Sequence, residues 1–107
     1  MGSAELADNM QIAQEKEWSP EGLANWKKDD PSTAAWLDQV EFLTPADPFT
    51  GQVEITENGL TAQFVHCGGH TSGSSYVYLP QEKVLFAGDL IFAKTFSYAG
   101  DPTCDLD

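Results

Sequence analysis

Residues 52–66 read QVEITENGLTAQFVH, and the Asn58-Gly59 pair within them limits the fold more than any other feature. A two-residue connection between strands needs left-handed backbone, which Asn and Gly adopt at least cost. QVEIT and LTAQFVH are therefore expected to pair as neighbouring antiparallel strands. SSYVYLP and KVLFAGD flank a second short turn, PQE. Residues 51–107 thus read as an antiparallel β-meander of about four strands. Its one irregular excursion covers residues 66–74.

Residues 1–50 follow a different grammar and read as a helical segment of two or three helices. ELADNMQIAQEKEW carries a thin apolar stripe at Leu6, Met10 and Ala13, so a first helix should begin near Ser3 or Ala4. Ser19-Pro20-Glu21 supplies an N-cap, a first-turn proline and a first-turn acid for a second. Asp30-Pro31 repeats that pattern for a third. Trp26, Trp36, Leu37 and Val40 are expected to form the buried faces, and TPADPFTG reads as a loop without regular structure. The fold class is α+β, with N-terminal helices followed by the meander, the two together forming one partial domain.

The chain has 107 residues, with 17 acidic residues against five lysines, no arginine, and a formal charge of -12. Such a field repels phosphate backbones, so no nucleic-acid partner is expected. No apolar run is long enough to span a bilayer, and none follows a basic start, so no membrane association is expected. Two cysteines are too few for a disulfide scaffold and fit reduced thiols in a cytoplasmic protein. Met1-Gly2-Ser3 reads as a cloning remnant, and residues 101–107, despite three aspartates, as a solvated tail.

Both histidines fall in the excursion HCGGHTSGSS. GGHTSGSS is not a P-loop, because Ser74 stands where the phosphate-binding lysine belongs. His66 and His70 have the spacing of a helical zinc pair, but Gly68 and Gly69 oppose a helix there. A site combining Cys67 with the histidines lacks a fourth ligand. Further along, LFAGDLIF places Asp89 inside an apolar run, where a carboxylate is costly unless paired or bound to a cation. By spacing alone, Asp89 could equally cap a turn while His70 packs on the hairpin.

The stretch Gly69-His70-Thr71, Gly73-Ser74, then a strand, Pro80, a second apolar strand, and Phe86-x-Gly88-Asp89 resembles the metallo-β-lactamase fold superfamily of metal-dependent hydrolases. The resemblance implies part of an αββα sandwich. It makes His70 a metal ligand and Asp89 a bridging and catalytic carboxylate, with zinc, iron or manganese as the metal. It makes Thr71 and Ser74 supporting hydroxyls, Gly69 and Gly73 tight-turn residues, and His66 and Cys67 structural. A metal there would lower the pKa of bound water to about 7 for attack on an ester, thioester, lactam or similar bond of a small-molecule substrate.

The family's H-x-H-x-D-H motif is absent, as is a later ligand histidine. The expectation is therefore a fragment of a metal-dependent hydrolase, binding metal weakly or not at all and inactive alone. Phe92, Phe96 and Tyr98 are expected at the mouth of the site, and exposed strands are expected to make the chain a homo-oligomer. A competing reading is a non-catalytic α+β interaction module, using its open strand or its tryptophan-bearing helices. A minor third is a redox or metal-binding piece built on Cys67 and Cys104.

Overall fold

The structure, a computed structural model, describes residues 1–96 and 99–105. Helices precede an antiparallel sheet along the chain, so the α+β class expected from the sequence is observed. The chain divides into two compact units. One comprises residues 8–44, and the other residues 1–7 together with 45–107.

In the first unit, α1 (Ala4–Lys16) supplies its later turns and α2 (Pro20–Asp29) follows. Ser19 caps α2 by accepting from Gly22 N at 3.0 Å. Lys27 and Lys28 lie in its last turn, where the helix dipole favours cations. The third helix is not an α-helix. Residues Pro31–Ala35 and Leu37–Gln39 form two 3₁₀ turns, broken at Trp36. Asp30 accepts from both Ser32 N and Ser32 Oγ, while Thr33 Oγ1 donates to Asp30 O. These local bonds compete with α-helical pairing and hold the segment in i→i+3 geometry.

The expected buried face is also narrower than its pattern. Leu37 is 2% exposed, whereas Trp26, Trp36 and Val40 remain exposed. The tryptophans pack on one another instead. Trp18 meets Trp26 edge-on at 5.7 Å, Trp26 meets Trp36 at 6.4 Å, and Phe42 lies 5.0 Å from Trp18. Each ring thereby shields part of its surface from water without entering a core.

The second unit is a four-stranded sheet in the order β3-β4-β5-β6, formed by Gln52–Glu57, Leu60–His66, Ser75–Leu79 and Val84–Phe86. A separate two-stranded pair joins β1 (Gly2–Ser3) in parallel to β2 (Pro48–Phe49). Asn58 and Gly59 adopt φ of 51° and 81°, as the hairpin requires. Cross-strand register aligns Val53, Phe64, Val77 and Phe86 on one face. The other face carries Val65 with Tyr76, and Tyr78 with Leu85. Strands apolar on both sides are built to be covered on both sides. Phe49 is nonetheless the second of only two buried apolar side chains among the described residues, and Phe86 is 57% exposed.

Two segments outside the expected strands contribute to this unit. Pro48 and Phe49, within the loop TPADPFTG, form β2, and Phe49 packs edge-on against Phe64 at 6.4 Å. Residues 2–3, read as a cloning remnant, form β1, and Ser3 is fully buried. Among the described residues, no helix is long and apolar enough to cross a membrane.

Candidate functional site

The excursion between β4 and β5 is tightly bonded. The carbonyl of Ser74 accepts from both Cys67 N and Gly68 N at 3.0 Å, closing the base of the loop. At its tip, Thr71 N donates to Ser74 Oγ at 2.8 Å, and the two hydroxyls lie 3.0 Å apart. Thr71 and Ser74 are thus the hydroxyls of a turn that presents His70. Gly68 and Gly69 take φ of 67° and 98°, conformations that a side chain would strain. Gly73 serves another purpose: a Cβ there would lie 2.8 Å from Leu6 Cα.

Residues at the start of the chain brace one side of this loop. Ser3 Oγ donates to Gly73 O at 2.9 Å and accepts from Leu6 N at 3.0 Å, so one hydroxyl both anchors the loop and caps α1. His66 Nε2 donates to Ser72 O at 2.7 Å. Its Nδ1 lies 3.5 Å from Glu5 Oε2, a buried oxygen with no hydrogen bond among the described residues. His66 is thus bonded to its own loop and faces the first turn of α1. Cys67 is exposed, yet partial desolvation of its sulfur still pushes the thiol pKa up, which disfavours the reactive thiolate.

His70 and Asp89 line the same cavity, of about 460 Å³. Phe64 and Val77 from the sheet line it as well, together with Ser3 and Leu6. Asp89 sits in a 3₁₀ turn, Gly88–Leu90, directly after β6. The hairpin β5–β6 thus carries the chain from the loop of His70 back to the same cavity. The two donors are a borderline imidazole nitrogen and a hard carboxylate oxygen, suited to zinc, iron or manganese. Among the described residues, however, no three His, Cys, Asp or Glu side chains are grouped to hold an ion. Zinc is normally held by three or four protein ligands, so these residues do not complete a metal centre.

Phe92 and Phe96 are exposed, Phe96 almost completely at 98%. Tyr98, expected beside them, lies outside the described residues. The segment read as a solvated tail is instead tied to the loop through Asp105 N, which donates to Gly69 O at 2.9 Å. No spacing signal in the sequence marks that contact, or the bond from Ser3. Both join residues far apart in the chain.

The family described as the Metallo-beta-lactamase superfamily matches residues 11–102, most of the chain. No curated protein matches significantly.

Proposed function

The chain belongs to the metallo-beta-lactamase superfamily, and on that premise we propose that it carries part of the site of a metal-dependent hydrolase. His70 and Asp89 are two of the metal's ligands, and Asp89 is the bridging, catalytic carboxylate. The observation that carries this reading is the single cavity lined by both side chains at the end of one hairpin. A working site needs further donors, and once completed it would act on a small-molecule ester, thioester, lactam or similar bond. The charge of -12 and the absence of arginine weigh against a nucleic-acid substrate. The free thiols Cys67 and Cys104 suit a reducing, cytoplasmic setting.

Two ligands give a weak site, so calorimetric titration of the chain with zinc should register weak heat that His70→Ala and Asp89→Ala each remove. Tight, stoichiometric binding, or heat unchanged in both variants, would contradict the assignment. The outer edge of β6, with Val84, Leu85 and Phe86 exposed, has no neighbouring strand among the described residues and offers a surface for self-association. Sedimentation should reveal a concentration-dependent oligomer that Leu85→Lys reduces. A strict monomer at high concentration would contradict that part of the reading.

A further inference from the structure

The ring of His66, at the end of β4, has a partner at each nitrogen. Nε2 lies 2.7 Å from Ser72 O, and Nδ1 lies 3.5 Å from Glu5 Oε2, in the first turn of α1. A carbonyl oxygen only accepts, so Nε2 carries a proton. A neutral imidazole has one such proton, which leaves a bare lone pair on Nδ1. That lone pair would face a buried carboxylate oxygen that has no hydrogen bond among the described residues. Two opposed acceptors repel, and the buried oxygen is screened from bulk water. A second proton, on Nδ1, turns the clash into an ion pair: the ring then donates to Ser72 O and faces Glu5 as a cation.

Among the described residues, no other charged side chain is paired with the ring. Its backbone N donates to Gly51 O beside β3, and its register partner on β5 is Ser75, whose hydroxyl donates to Gly73 O. The neighbouring Cys67 turns its thiol to Gly68 O and Ser74 O. On the opposite flank of the loop, Thr103 Oγ1 accepts from Ser72 N and donates to Asp101 Oδ1, while Asp105 N donates to Gly69 O. Ser3 Oγ, on the same flank as Glu5, does not titrate. The Glu5–His66 pair is therefore the part of that flank that a proton can change.

We propose that Glu5 and His66 form a proton-dependent latch, in which the charged ring ties the loop that presents His70 to the first turn of α1. Ser72 lies two residues after His70, so the carbonyl held by the ring belongs to the turn that presents it. The tie is present while Nδ1 keeps its proton and is lost as pH rises and removes it. An open latch loosens one flank of the loop without unfolding it, because Ser3 and Thr103 still hold. The tie forms whatever His70 binds.

The test uses the full chain, ¹⁵N-labelled and free of metal. It follows the ring nitrogens of His66 and the amides of Leu6, Ser72 and Gly73 from about pH 5 to about pH 8, where imidazoles titrate. Two bonds from Thr103 hold the Asp101 carboxyl below the usual carboxylate range, so it stays charged over this span. The chain's other imidazole is His70, and a parallel series in His70→Ala leaves His66 as the only ring that titrates. In both series the three amides should shift in one step with loss of the Nδ1 proton. Glu5→Gln places an amide donor opposite Nδ1, so the ring is held without the second proton and the amide step should vanish.

His66→Gln keeps a side-chain N–H for Ser72 O and should give the same flat response. His66→Phe should show the open-latch shifts at every pH. If Glu5→Gln does not fold, judged by the amide shifts of β3 and β4, the two His66 variants decide alone. A His66 ring that keeps one protonation state throughout would overturn the latch. So would an amide step of parental size in folded Glu5→Gln or His66→Gln. No metal enters any of these measurements, so the ligand reading of His70 stands or falls separately, by the zinc titration.

Discussion

The β3–β4 hairpin and the loop that follows it share a strand yet are held together in opposite ways. The hairpin is local: Glu57 faces Leu60 across a two-residue turn, and the pairing runs back from there in unbroken register. The loop at residues 67–74 is held from far away in the chain, by Ser3 and Leu6 at one side and by Thr103 and Asp105 at the other. A turn can be encoded by the two residues that make it. The loop that carries the candidate site takes partners from 31 to 70 positions away, and its geometry depends on all of them.

This contrast is open to direct attack. The largest effect is expected from Gly73→Ala, whose new Cβ would meet backbone of Leu6 at 2.8 Å and cost about 3 kcal/mol through forced displacement. Urea unfolding should report that loss, and an unchanged midpoint would show that the loop does not depend on the start of the chain. Ser3→Ala comes next, at about 1–2 kcal/mol, because it removes both the α1 cap and the donor to Gly73 O. Amide exchange should speed at Leu6 and in the loop while β3–β4 stays protected.

Gly59→Ala probes the hairpin and should cost about 1 kcal/mol, since its φ of 81° is unfavourable for a side chain. Its effect should be greatest at the β3–β4 ladder, the mirror image of Ser3→Ala. A smaller effect is set by pH. The folded state depresses the pKa of Asp101, so its contribution is fully present above the carboxyl's unfolded value and is lost as pH falls through the lower folded value. Protection of the Ser72 amide should fall in that acid range, and Asp101→Asn should remove the dependence. Smallest of all, Cys67 should be alkylated more slowly in the folded chain than in urea, because partial desolvation raises its thiol pKa.

What could be read from the sequence follows the same division. Asn58-Gly59, Ser19-Pro20 and Asp30-Pro31 each act within a few residues, and each marks a turn or cap that the structure contains. The third helix was legible as a start but not as a type, because the hydroxyls of Ser32 and Thr33 bind back to Asp30. Apolar periodicity overstated burial around Trp26 and Trp36, which pack on each other and remain exposed. At the site, the motif residues were legible through family resemblance, since His70 and Asp89 sit in short diagnostic strings. Ser3, Glu5, Asp101 and Thr103 were not. A buried serine hydroxyl near the start of a chain and a threonine near position 100 carry no pattern until the backbone brings them to the loop.

In the proposed site, His70 and Asp89 address one cation from opposite ends of the β5–β6 hairpin. Line broadening by manganese in the ¹⁵N- and ¹³C-labelled chain tests it most directly. The His70 ring and the Asp89 carboxyl should broaden together at the lowest additions, with His66 and the acidic residues of α1 following only later. Broadening that begins at scattered surface carboxylates, and reaches His70 and Asp89 at different concentrations, would contradict it.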